Sequence, residues 1–487
     1  MLAPVQGFDV VFSVFGGHEK FVSDFLNDFR RRCKGGLQGG MREDATGLPG
    51  APPSAMERVL PIIVSEGYLD KTGGVIFSRL TDFPMEVTLD FAITPGHQAA
   101  ARKTRLTMEA LPKENKKPEV GSERMESLKK RERIQMALSH ETPDRCPMQI
   151  SFTPEFAVRL RENMGLTGAN DHNPHGGGNT YVLERALGQD MLITSVGWAN
   201  GYYQSQQPYV DEWGVGWTPC EYSTPFGKGH YTEISRHPLA DEDAIRTYRP
   251  PDPNRPELYR DAACLVRDLK QEYFIVGATV TTIFETAWAL RGLETLLMDL
   301  VTDLDLAKAI LEIPFRYHLT AAKKLVELGV DAIWVGDDVG AQNAMAISPE
   351  LWRKLFKPMW AEYFSTLKRI NPNLKIIYHS DGVIDPIIPD MIEVGLDVLN
   401  PVQPACMDPA ALKKRFGKNL CYWGAIDEQH TLPFGKPADV RREVLTRLAT
   451  IGKGGGLIIG PTHHVQLDTP MENFWAMVNT IRETACS

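Results

Sequence analysis

The stretch 379-HSDG-382 places a histidine and an aspartate two residues apart and closes on a glycine. Two further stretches carry side chains of the same kind. One is 336-GDDVG-340, with Asp337 and Asp338; the other is 461-PTHHVQLD-468, with His463 and His464. Carboxylates and imidazoles gathered from distant positions can hold a divalent metal, and zinc takes N and O ligands tetrahedrally. The same groups can instead hold and deliver a proton, with ionisation shifted by burial and by like charges nearby. Each residue also has a plainer explanation. An acidic residue just after a strand often caps the next helix, which suits Asp338 or Asp427 taken singly. His379 alone fits a satisfied core histidine, and of the adjacent His463 and His464 at most one is expected to face a shared site. The remaining histidines, among them His172, His175, His230, His237, His318 and His430, are expected in loops or on helices, structural or solvated.

The elements that must position these groups are short apolar runs alternating with longer helical stretches. The runs are 146–151, 191–196, 274–279, 331–336, 374–379, 396–400, 420–425 and 456–460. Continuously apolar runs separated by helices predict parallel strands covered on both faces. Eight such units predict a (β/α)8 TIM barrel, in which chemistry gathers at the C-terminal ends of the strands. An open doubly wound sheet is the weaker alternative, because no Gly-rich phosphate loop follows the first run. The residues after the runs are then Trp198, Glu285, Asp337 and Asp338, His379 and Asp381, Asn400 and Gln403, Asp427, and the His463–His464 pair. In 348-SPELWRKLF-356, Ser348 is the expected N-cap, with Pro349 in the first turn. Gly329 is the expected stop of the preceding helix. The stretch 211-DEWGVGWTP-219 is expected to be a loop or hairpin packing over the barrel, with Trp213 and Trp217 in a satellite core. Before residue 123 the sequence is a separate N-terminal extension, with a Gly/Pro-rich stretch at 34–55 and a charged break at 112–133.

A formal net charge of −9 and a pI near 5.8 argue against a general nucleic-acid surface. No apolar run reaches the length of a membrane span. No basic flank precedes the apolar N-terminal stretch, and the seven cysteines form no CxxC, so a reducing, cytoplasmic setting is expected.

From about residue 128 to 483 the sequence resembles the uroporphyrinogen decarboxylase superfamily, which includes the decarboxylases and the corrinoid-linked methyltransferases. The resemblance rests on 137-ALSHETPDRCPM-148, 211-DEWGV-215, 329-GVDAIWVGDDVG-340, 347-ISPELW-352, 394-VGLDVLNPVQ-403, 424-GAIDEQHTLPFGKPADV-440 and 468-DTPMEN-473, together with HSDG. It implies the same barrel. The decarboxylases carry an arginine-rich substrate loop after the first strand. Here that stretch is 149-QISFTPEFAVRLRENMG-165, whose Arg159 and Arg161 fall on a helical pattern. Buried substrate carboxylates would go unpaired there.

The methyltransferases carry His-x-Cys-Gly after the fifth strand and a further cysteine after the eighth, which bind zinc. HSDG keeps the histidine and glycine but has Asp381 for the cysteine, and the second cysteine position falls on His463. The resemblance therefore implies a harder N/O site of His379, Asp381 and His463, with Asp338 or Asp337 as fourth ligand or general base. Zinc is the expected metal. It would polarise the heteroatom of a small methylated, for instance methoxy, compound, with a corrinoid supplied by a partner protein. Glu285, Asn400, Gln403 and Trp198 are then expected around the substrate, and Asp427 joins Asp337 and Asp338 as a proton handler. A second copy of the chain is a further expected partner. The rival expectations are a metal-free decarboxylase of a tetrapyrrole or other carboxylic acid, and a catalytically silent barrel that binds a tetrapyrrole or corrinoid.

Overall fold

A computed structural model describes residues 128–168 and 179–486. The N-terminal extension, its boundary near 122 and the stretch 171-DHNPHGGG-178 with His172 and His175 lie outside the described residues.

Seven of the eight predicted runs are strands, each five or six residues long: β1 (Met191–Ser195), β5 (Phe274–Ala278), β6 (Ala332–Gly336), β7 (Lys375–His379), β8 (Val398–Val402), β9 (Cys421–Ile426) and β10 (Leu457–Pro461). They form one parallel sheet in that order. Both faces are covered, as continuous Ile/Val/Leu runs require. Long helices connect them. Lys130–Leu138 lies ahead of the sheet, Leu304–Leu328 ends on Gly329 at φ +98°, and Pro349–Ile370 begins where Ser348 accepts the Leu351 N–H. Both predicted caps stand.

The first run, 146–151, is corrected. It makes only isolated bridges, Met148 with Ile459 and Phe152 with Val465. Its backbone still joins β10, through Gln149 N–H to Ile459 O at 3.1 Å and Ile459 N–H to Pro147 O at 2.8 Å. On its other side, a single backbone bond, Asp190 N–H to Met148 O at 3.0 Å, is supplemented by side chains. Asp190 accepts the Met148 N–H at 2.8 Å, and the Gln189 amide binds both Ile150 N–H and Ile150 O at 3.0 and 2.8 Å. Pro147 has no N–H to offer, which breaks the strand pattern locally. Fully buried Asp190 is held by Arg133 and Arg145, each at 2.7 Å. Two guanidiniums on one carboxylate satisfy a charge that would otherwise be costly to bury. The sheet is a TIM-barrel-like half-barrel, with segment 146–152 along the edge of β10.

Residues 209–236 form a separate antiparallel sheet of β2 (Tyr209–Val210), β3 (Gly216–Thr224) and β4 (Gly227–Arg236). Asp211 fixes its first turn by accepting the N–H groups of Trp213 and Val215 and the Trp217 indole N–H, all at 2.9 Å. Trp213 and Trp217 fill a satellite core with Val215, Leu239 and Leu290, as the sequence predicts. His230 stands on β4, not in a loop or on a helix. Among the described residues no helix is long and apolar enough to cross a membrane.

Candidate functional site

The loops after β6 and β7 are locked together by contacts that admit only glycine. A Cβ on Gly336 would stand 2.0 Å from the His379 carbonyl oxygen, and one on Gly340 would stand 2.4 Å from that of Asp381. With the backbones this close, Asp381 N–H donates to Asp338 Oδ1 at 2.8 Å and Val339 N–H to Ser380 Oγ at 3.1 Å. HSDG and GDDVG are therefore one rigid unit.

Within it, one ligand atom each from Asp338, His379 and Asp381 lies within 4.8 Å of the others. His379 Nδ1 is 2.8 Å from Asn400 Oδ1. An amide oxygen only accepts, so Nδ1 carries the proton and the Nε2 lone pair is directed to Asp338 Oδ1, 3.6 Å away. The amide orientation agrees, because Asn400 Nδ2 donates to Trp423 O at 3.5 Å. Asp381 Oδ1 is buried and accepts no hydrogen bond from the described residues. Burial first, and the Asp338 charge second, push the Asp381 carboxyl up to about 7, against the pull of His379. A buried acceptor without a donor is costly unless a proton or a cation serves it. Two carboxylate oxygens and an imidazole nitrogen fit a divalent ion with N/O preference, so the donor set suits a metal without thiolate.

A cavity of about 80 Å³ opens beside this unit. Asp338, His379, Asn400, Glu285 and His463 line it, all predicted site residues. Glu285 is buried and accepts the Asp338 N–H at 3.1 Å. Burial, then Asp338 and Asp337, push its carboxyl well above the usual range.

Other predicted residues lie elsewhere. Asp337 does not line the cavity. Its carboxylate accepts the N–H groups of Ile283 and Glu285 at 2.9 and 3.0 Å and so anchors the helix Phe284–Arg291, while burial pushes it up to about 7 against those donors. Asp427 does not line the cavity and organises the turn after β9, accepting Gln429 N–H at 2.9 Å and His430 N–H at 3.2 Å. Gln403 braces the HSDG loop through Gly382 N–H at 3.0 Å. Trp198 is fully buried in the satellite core, stacked on Trp217, and does not reach the cavity. His463 lies one ring away from the ligand group, its centroid 6.3 Å from that of His379. The group within ligand distance includes Asp338, expected as a fourth ligand or general base, and does not include His463. His463 and His464 both line the cavity, where at most one was expected.

Four aromatic residues of the lining were not anticipated: Trp334, Trp423, Tyr202 and Tyr203. Trp334 and Trp423 occupy inward positions of β6 and β9, their ring centroids 4.8 Å apart. The period-two alternation of each strand contains that signal. Nothing comparable marks the two tyrosines.

A parallel half-barrel whose strand ends gather carboxylates and imidazoles in one mouth defines a TIM-barrel-like enzyme architecture. The family model described as uroporphyrinogen decarboxylase (URO-D) matches residues 220–484, and the chain belongs to that family, whose members are enzymes. A uroporphyrinogen decarboxylase of Legionella pneumophila (strain Corby) is 25% identical over 257 residues, covering 51% of this chain and 70% of the relative. One from Psychromonas ingrahamii is 34% identical over 77 residues, covering 16% of this chain and 21% of the relative. Among solved structures, a methyltransferase from Methanosarcina mazei is similar in fold. It has a TM-score of 0.53 and 18% identity, covering 73% of this chain and 99% of that one.

Proposed function

We propose that the protein is a corrinoid-linked methyltransferase acting on a small methylated compound at a metal-activated site, within a barrel completed by segment 146–152. The observation that carries this reading is the grouping of Asp338, His379 and Asp381, with the His379 tautomer set by Asn400 and one Asp381 oxygen buried without a donor among the described residues. A divalent ion, zinc in the first instance, would polarise the heteroatom that bears the methyl group. His379 Nε2 and the two carboxylates would hold it, Asn400 orients the imidazole, and Glu285 and His463 would border the substrate. A corrinoid carried on a partner protein would supply or accept the methyl group. Free thiols among the described cysteines suit a cytoplasmic setting.

Decarboxylation of a tetrapyrrole or other acid is the second reading, favoured by the names of the curated relatives. The lining speaks less for it: two carboxylates and three histidines, with no lysine or arginine to receive substrate carboxylates.

Metal analysis of the purified protein tests the first reading. The expected result is about one divalent ion per chain, lost in His379→Ala. No bound metal in the native protein, or unchanged metal in the variant, overturns it. Incubation with uroporphyrinogen tests the second in its tetrapyrrole form, which stands only if coproporphyrinogen forms.

A further inference from the structure

The chain leaving β5 carries one residue more than its neighbour. Along paired parallel strands, the N–H groups that bond one partner recur at every second residue. Thr279 N–H donates to Trp334 O at 2.8 Å, but the next such bond, to Gly336 O at 2.9 Å, comes from Thr282. The β6 side advances by two residues while its partner advances by three. This is a β-bulge, a device that re-aims a side chain. Thr282 closes it, its hydroxyl donating to Thr279 O at 2.6 Å and accepting the Gly336 N–H at 3.0 Å. The extra length is taken up at Thr281, whose φ is +57°.

Left-handed backbone suits glycine, and a β-branched residue there is an outlier. The adjoining loops do use glycine for positive φ, at Gly336 and Gly382. Among the described residues Thr281 is the only β-branched one so placed, and it lines the cavity. Strain of this kind persists where the surroundings enforce it and concentrates at ligand sites. The bulge enforces the conformation but not the threonine, since glycine would meet it without strain. What threonine adds is a side chain. Val280 and Thr282 on either side are buried, whereas Thr281 is partly exposed. Its carbonyl accepts the Thr286 hydroxyl, and its own hydroxyl donates to Val280 O, which fixes the rotamer. With that proton spent, the side chain meets a ligand as a stiff wall.

The space it bounds is small. A cavity of about 80 Å³ is smaller than the ~150 Å³ engineered cavity that takes benzene. We infer that Thr281 is a specificity-determining residue: the bulge after β5 aims its side chain into the cavity that His379 and Asp338 border, limiting the ligand to a small aliphatic methylated compound and excluding one built on an aromatic ring. This rests on the methyltransferase reading for its substrate class.

The test measures binding, not turnover, on the purified full-length protein by ligand-observed NMR. The small probe is 2-methoxyethanol and the aromatic one 2-methoxyphenol. Native protein should prefer 2-methoxyethanol. Thr281→Gly removes the wall and should shift the affinity ratio about tenfold towards 2-methoxyphenol, the scale on which pocket shape discriminates. Its urea midpoint should be no lower than that of native protein, because backbone strain is relieved as the side chain is lost. Thr281→Val keeps the shape without the hydroxyl and should retain the native ratio. A native protein without the preference, an unchanged ratio in Thr281→Gly, or an equal shift in Thr281→Val overturns the inference. A lower urea midpoint in Thr281→Gly also overturns it, by making Thr281 a packing residue. The expected shift without methyl transfer in any assay sustains the size limit and counts against the methyltransferase reading alone.

Discussion

Two histidines of the same barrel, His379 and His318, show how burial alone says little about chemistry. His318 is completely buried on the helix Leu304–Leu328. Its Nδ1 is 3.0 Å from Pro314 O, and its Nε2 accepts the Trp198 N–H at 3.2 Å. Both nitrogens are consumed by backbone, and the ring stacks on Trp213 at 5.7 Å. His379 is also tied at Nδ1, but to a side chain, and its Nε2 faces two carboxylates across a cavity. One histidine holds a fold together; the other keeps a lone pair available. The difference lies in where the second nitrogen points, which sequence position does not encode.

The comparison can be broken in four ways, of decreasing size. His379→Ala should lower metal affinity more than about a thousandfold, because even residues that merely support ligands are worth about 10–100-fold. Stability should hardly change, and unaltered metal content by mass spectrometry would erase the distinction.

Next in size is acid. Burial pulls the His318 imidazole down to about 4, so between about 6.5 and 4 the unfolded chain binds the extra proton. His318 therefore contributes full stability above about 6.5 and loses about 3 kcal/mol as pH falls to about 4. Asp381 and Asp337, raised to about 7, act oppositely: the folded state holds their protons, so they gain stability as pH falls below about 7. Urea midpoints of native protein and His318→Gln from pH 7 to 4.5 separate the two. The variant should lack the acid loss, and parallel curves would show that His318 does not titrate in this way.

Asn400→Ala should cost about 10–100-fold in metal affinity by freeing the imidazole tautomer, measured by calorimetry. Asp427→Ala should lower stability by about 1 kcal/mol, the worth of a hydrogen bond that holds its turn, and leave metal binding alone. A metal defect there would return Asp427 to the site.

How much of this was legible depends on whether the signal was local. Ser348, Gly329 and seven of the eight strands announced themselves through caps and apolar runs, which local backbone chemistry decides. HSDG and GDDVG were found because glycine beside acid and imidazole is distinctive, and their fusion follows from close backbone contact. Trp198 was misplaced for a different reason. It follows a strand in the chain, but its final direction is set by packing against Trp217. The Asp190–Gln189 supplement to a single backbone bond was invisible, since it needs partners 42 and 39 residues away.

That last feature bears on how the chain reaches its shape. The seam joins Cys146 to Leu457, 311 residues apart, so it cannot assemble until nearly every other unit exists. The entropy of drawing such distant segments together is met by the backbone bonds of Pro147 and Gln149 with Ile459, while Arg133 and Arg145 tie the same segment to Asp190 on its other side. Until segment 146–152 pairs with it, β10 keeps an unsatisfied edge, and an unpaired edge is where a partly folded chain pairs with its neighbours. Segment 146–152 is therefore the cover of that edge as well as a part of the finished fold.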